Sequence, residues 1–501
     1  MAIKRIRLLA FIGALLLLSA CGGDPGMPDF PDITDVPEVT DSPYVTDTAS
    51  PAEEKTNIRI LAVLKGSPEL NDYDWPERLY NMAVSNNPAI NKKVNVSLEY
   101  IDYSHINAEK ELLLDDMANG AGPDIIIGAE DIFDDDLYTM SKNGYFADLS
   151  PYMESSLNFS ADEFFPCALD VGVIDDGRYF MPLSIHTFGC YLTIPYNKAM
   201  DSGIPFQDVT MEEFLNAIEM AKQFEDGDYI VRNYTIFDAS LDLLGIAAYD
   251  MKEGESKALS PEFKQGLELL KKYIDSSLYV KQDAPFASSI FLEENTTTFL
   301  HAGSKFTQYP AWFGYKDPII PGAALKDEWM YTMGFPKPNA EAPTYARPND
   351  IIVINSNCSN IDIASEIALT GLTEQFQENY FVDINFAHSD MLAELSVPIR
   401  KKAFDMYTDF TNTAVLDRYF KWYSKYELSK EVLTPYLERT MDSYRNFIFG
   451  IDQLFVNGPA LDDVIAEIIN VYINGESTID ECVDSIESNI QGYFANAKRD
   501  E

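Results

Sequence analysis

From about residue 57 onward the apolar positions change period in a regular order. Ile58 to Leu64 is a short β-branched and apolar run, which predicts a strand. Trp75 to Val84 has helical spacing, with Pro76 in the first turn, where a missing N–H does no harm. Val94 to Ile101 alternates as a half-buried strand does. Ile106 to Met117 returns to helical spacing through Ile106, Leu113 and Met117. Gly122-Pro123 then punctuates the chain before the compact apolar strand Asp124 to Ile127. This β-α-β-α-β order predicts a parallel α/β sheet with helices on its faces.

Later helices announce themselves by their starts. Ser160 with Glu163, Thr210 with Glu213, and Thr478 with Glu481 fit the box in which hydroxyl and carboxylate satisfy each other's orphan amides. Ser260-Pro261 marks another start, with proline at the first helical position. The second half is more helical and closes with helices predicted over Leu461 to Tyr472 and Ile479 to Phe494. The last carries an apolar stripe at Ile479, Val483, Ile486, Ile490 and Phe494, which reads as a core face. No internal repeat of fixed period is present.

The N-terminal segment has a different pattern. Lys4, Arg5 and Arg7 precede the apolar stretch Leu8 to Leu18, and Leu18-Ser19-Ala20-Cys21 closes it. The stretch is short for a bilayer-spanning helix and ends in small residues, so it reads as a cleavable secretory signal. Cysteine after Leu-Ser-Ala resembles the bacterial lipobox, which implies lipidation at Cys21, residues 1–21 as signal peptide, and a mature protein anchored to the cell membrane outside the cytoplasm. Residues 22–56 are rich in Pro, Asp, Thr and Ser and poor in bulky apolar side chains, the composition of a disordered acidic linker.

Roughly 445 residues remain, enough for two or three domains. A formal charge of −44 argues against nucleic acid and against docking on an anionic bilayer through a basic patch; it reads as a solvated acidic surface. Cys167, Cys190, Cys358 and Cys482 match no metal or redox spacing, so buried free thiols are expected. With only four histidines, scattered at 105, 186, 301 and 388, no metal and no cofactor is expected.

Several segments, in order, resemble extracellular solute-binding proteins of family 1, the type that includes maltodextrin-binding protein. They are Gly122-Pro123-Asp124-Ile125-Ile126 with Glu130-Asp131, Asn143 to Leu149, Asp176 to Pro182, and Pro195-Tyr196-Asn197-Lys198. Thr210 to Phe214, Phe299 to Gly303 with Trp312, and Leu461 to Tyr493 with Asn474-Gly475 between its two helices complete the set. One departure is the thirteen residues between Pro182 and Tyr196. The resemblance implies an α/β, two-lobe, periplasmic-binding-protein-like fold with a hinge and a ligand cleft between the lobes. It places residues 57–181 plus 354–396 in one lobe and 182–353 plus 397–501 in the other. Crossings are then expected near Pro182, near Asn349 to Val353, and after Val397-Pro398.

Ligands of open α/β sheets bind beyond the carboxyl ends of the strands. A sugar needs flat aromatic surfaces and carboxylate or amide partners. Lys65 and Trp75 follow the first strand, and Glu130 and Asp131 the third. Each also has a plainer reading: a solvated lysine, a helix staple, or acids at a helix N-terminus. Trp312, and more weakly Tyr309, stand where the resemblance places an aromatic platform. His186 is a candidate contact or a structural histidine, and Asn349 is a contact or a turn cap. No G-x-S-x-G, HExxH, P-loop or G-x-G-x-x-G in context is present, and paired carboxylates carry no information among 81 acidic residues. The expected function is therefore capture, without turnover, of a carbohydrate such as an oligosaccharide, by a monomer that delivers it to ABC transporter permease subunits. A secreted carbohydrate-active lipoprotein enzyme, or a sugar-binding surface protein without a transport role, is the alternative.

Overall fold

A computed structural model describes residues 55–64, 75–102, 105–133, 136–155, 159–187, 191–195, 209–210, 212–213, 216, 229–231, 248–275, 297–302, 330–334, 337, 339–379, 396–409, 430–456 and 458–497. The signal, residues 22–54 of the linker and Cys190 lie outside them, while Thr56, expected at the end of the linker, already pairs with Val94 in the first strand.

The predicted alternation is present. Strand β1 (Thr56–Leu64) leads to helices α1 (Trp75–Asn86) and α2 (Ala89–Lys93), then β2 (Val94–Asp102), α3 (Ile106–Ala118) and β3 (Ile125–Ile127). Both β2 and β3 pair with β1 in parallel. Ile58, Ile60 and Ala62 on one face of β1, and Leu61 and Val63 on the other, are all buried. A strand covered on both faces explains why its sequence is a nearly unbroken apolar run.

Short elements follow: α4 (Ala129–Phe133), α5 (Leu137–Lys142), α6 (Ser150–Ser155), α7 (Pro166–Asp170), β4 (Val173–Ile174), β5 (Gly177–Arg178) and β6 (Phe180–Met181). Next come β7 (Ser184–His186), β8 (Tyr191–Pro195), β9 (Tyr229–Val231), β10 (Tyr249–Asp250), β11 (Glu255–Ser256) and α8 (Pro261–Asp275). The remainder comprises β12 (Thr297–Ala302), β13 (Met330–Gly334), β14 (Tyr345–Asn349), β15 (Ile352–Ile354), α9 (Ile361–Thr370), β16 (Ser396–Pro398), α10 (Lys401–Thr408), α11 (Lys430–Phe449), β17 (Gln453–Leu454), α12 (Pro459–Ile473) and α13 (Ile479–Ala497).

Three larger sheets organise these elements. The first has the order β2-β1-β3-β15-β6, with β15 antiparallel to both β3 and β6. Helix α9 buries Ile363, Ala364, Ile367 and Ala368 and packs against α1 and β15. The second, β16-β7-β14-β17, is made where the chain leaves and re-enters the first. The third is β13-β8-β12-β9. Helices α12 and α13 pack on each other, and α13 packs on α8 and β11. Val483, Ile486 and Ile490 of its stripe are buried, and Gly475, at φ +78°, makes the left-handed turn between the pair.

The capping reading holds at three starts and fails at one. Thr210 and Glu213 bond reciprocally, as do Thr478 and Glu481. Ser260 accepts the amide of Phe263. Ser160 instead turns its hydroxyl to Asp162 and heads only a short 3₁₀ turn, Ala161–Glu163. Glu163 pairs at 2.8 Å with Arg400, whose side chain is only 4% exposed. A buried guanidinium needs a counter-charge, and that demand outweighs the local box.

Candidate functional site

The residues that bridge the first and second sheets are the centre of the candidate site. Strand β7 lies between β14 and β16, antiparallel to both, so that His186 stands opposite Arg347 and Ser396 while Ser184 stands opposite Asn349 and Pro398. Asn349 Nδ2 donates to Ser184 Oγ at 2.9 Å and to Asp350 Oδ2 at 2.8 Å. The Leu183 amide reaches the carbonyls of Asn349 and Asp350. The exit near Leu183 and the return near Asp350 are thereby fastened side by side.

The loop after β3 meets the same point. Gly128, at φ +80°, turns the chain into α4, and a Cβ there would stand 2.9 Å from Val63 Cβ. The Gly128 and Ala129 amides donate to the Ile351 carbonyl. Glu130, half-buried in the first turn of α4, accepts the Asp350 amide at 2.6 Å and the Ile351 amide at 2.7 Å. Asp350 is itself left-handed, at φ +53°. Asp131 is the adjoining residue of that turn, half-buried. A third chain segment joins through Gln377, which is fully buried. Its Nε2 donates to the Leu183 and Gly371 carbonyls, and its Oε1 accepts the Ile399 amide.

Four sequence candidates, Glu130, Asp131, His186 and Asn349, thus lie on the bridging strands or on the loop fastened to them. Trp75 is the first residue of α1, and its side chain lies outside what is described. Lys65, Tyr309, Trp312 and the lipidation site Cys21 fall outside the described residues. Sequence reasoning did not find Gln377, because nothing local distinguishes a glutamine that joins three distant segments. Nor did it foresee that Glu130 would bond main-chain amides 220 residues away.

A polar groove lies between α5 and α7 on one side and β10, β14 and β17 on the other. Its lining includes Tyr138, Cys167, Tyr249, Asp250, Lys257 and Tyr345. Burial pushes the Cys167 thiol up to about 12, and burial with the Asp250 charge pushes Tyr345 up to about 12. Both stay protonated at neutral pH and are poor nucleophiles. Burial opposes ionisation of Asp250, but the bond from Lys257 Nζ, at 2.9 Å, and neighbouring amides hold its carboxyl below the usual range. Cys167, Cys358 and Cys482 are free, and no cluster of three metal-ligating side chains occurs among the described residues.

No family model matches the sequence, and no curated protein does. Solved structures match nearly end to end. The sugar-binding protein MalE from Xanthomonas citri is 12% identical, with 88% of this chain and 98% of that one covered at a TM-score of 0.59. An extracellular solute-binding protein of family 1 from Alicyclobacillus acidocaldarius is 12% identical, with 88% and 98% covered at 0.55. The cyclic α-maltosyl-1,6-maltose binding protein of Arthrobacter globiformis is 14% identical, with 88% and 100% covered at 0.53. At such identities the likeness establishes the fold: α/β, in two lobes, of the periplasmic-binding-protein type.

Proposed function

We propose that this chain, which has the two-lobe fold of ABC-transporter solute-binding proteins, is an extracytoplasmic, lipid-anchored receptor that captures a carbohydrate and hands it to a permease. The observation that carries the reading is the correspondence of fold over almost the whole length of three binding proteins, one described as sugar-binding and one as binding cyclic α-maltosyl-1,6-maltose. The bridging strands give it a physical basis. Two lobes joined through a narrow set of strands can rotate, and a solute touching both stabilises the closed state. The lobes are residues 57–181 plus 354–396 and residues 182–353 plus 397–501, with Asp131, His186 and Asn349 near the cleft floor. Lys65, Trp75, Tyr309 and Trp312 supply further contacts at its walls. Lipidation at Cys21 holds the protein at the membrane.

Calorimetric titration of the full chain against a panel of mono- and oligosaccharides tests the reading. One class binds with one-to-one stoichiometry and is recovered chemically unchanged. Binding of none, or catalytic conversion of the bound sugar, overturns it. Cys21→Ser releases the protein from the membrane fraction; a variant that is still acylated and sediments with membranes refutes the anchor.

A further inference from the structure

We infer that Glu130 is a positioning residue that clamps the second interlobe crossing to the loop after β3, so that the loop and the crossing move as one body when the lobes close. The inference deepens the solute-binding reading and rests on it for the word closure. Both Glu130 oxygens accept main-chain amides, Asp350 at 2.6 Å and Ile351 at 2.7 Å. Charge-assisted bonds of this kind are about twice as strong as neutral ones. They hold Asp350 in a left-handed conformation, which aspartate tolerates better than most non-glycine residues. The Gly128 and Ala129 amides return the bond to the Ile351 carbonyl, so four hydrogen bonds join residues 128–130 to 350–351. The same node reaches the other two crossings, through Leu183 and Asn349 to the first and through Gln377 to Leu183 and Ile399. All three crossings are therefore anchored on the first-sheet side. Rotation is then taken up in the strand segments of β7 and β14 beyond Ser184 and Asn349 and in the chain after Arg400, whose side chain is still held by Glu163 and the Leu372 carbonyl, and displacement of the loop carrying Asp131 is passed directly to the hinge.

Glu130→Ala removes the clamp, and Glu130→Gln keeps its shape with one acceptor oxygen. On the full chain without ligand, amide exchange at Asp350 and Ile351 rises about tenfold or more in the alanine variant, and by less in the glutamine variant. The distribution of distances between labels at the exposed Leu112 and Leu259 broadens in the same order. The affinity for the panel sugar bound by wild type falls about fivefold or more, mainly through faster dissociation. Unchanged exchange with weakened binding makes Glu130 a ligand contact and overturns the inference. Faster exchange with unchanged distances and affinity makes it a local bond and overturns it too. If wild type binds no sugar, the solute reading fails, yet exchange and distances in the ligand-free chain still decide whether the clamp exists. Should the alanine variant not fold, the glutamine variant carries the same measurements.

Discussion

Gly172 stands where β6 crosses closest to the turn after α7. A Cβ built on it would lie 1.9 Å from the Phe180 carbonyl oxygen, and the Tyr179 amide already bonds the Gly172 carbonyl. Backbone atoms cannot swing aside as a flexible side chain can. Gly172→Ala is expected to lower folding stability by about 1–3 kcal/mol, read as a lower midpoint in urea at constant slope. An unchanged midpoint would mean the turn relaxes freely. At this scale the site was only partly legible from sequence. Glu130 and Asp131 could be singled out as candidates because a strand end followed by acids is a local pattern. The partners of Glu130, the amides of Asp350 and Ile351, are set by a strand that arrives much later, and no local pattern encodes that.

Among elements, the closing helices rest on two kinds of fastening. Tyr249 of β10, buried to 1% exposure, donates its hydroxyl to Asp462 at 2.5 Å and accepts the Gly458 amide at 3.2 Å. It ties the small β10–β11 hairpin to the start of α12. Tyr249→Phe removes a bond from the buried Gly458 amide and is expected to cost about 1–3 kcal/mol, measured by chemical denaturation. The second fastening is the box at the start of α13. The Thr478 amide, and then its hydroxyl, hold the Glu481 carboxyl below its ordinary value. Its folded value is lower than its unfolded one, so the stabilisation is complete above the unfolded value, about 4.3, and fades as pH falls through the folded one. Glu481→Ala should melt below wild type at neutral pH, with the gap closing as the carboxyl becomes protonated in the folded state. A gap that persists in acid would show the box to be incidental. Element types were readable wherever the pattern is local: β1 to β3, α12 and α13 are where periodicity puts them. Ser160 with Glu163 is the exception, because the buried Arg400 is a tertiary demand that a four-residue motif cannot register.

For the molecule as a whole, 81 acidic against 37 basic residues leave a large like-charge excess. Exposed pairs such as Arg59–Glu99 and Lys264–Asp480 are already weakened by surrounding water, so screening them loses little. Screening the general repulsion gains more. Raising salt from about 0.01 to 0.1 M shortens the Debye length from about 30 to 10 Å and is expected to raise the melting temperature. A fall would mean that specific ion pairs dominate.

The place of β15 in the first sheet has a further consequence, for the order in which the chain can fold. Strands β1, β2 and β3 are complete once about a quarter of the chain has been made, but the neighbour that closes the far edge of β3 is residues 352–354. Until those residues emerge, a nascent chain carries Ile125, Ile126 and Ile127 on an open edge, the arrangement that invites pairing between chains. The N-terminal half can gather its helices and wait, but it cannot seal itself. Its stability during synthesis is in the keeping of a strand more than two hundred residues downstream, and a chain that stalls before residue 352 is left as a template for aggregation.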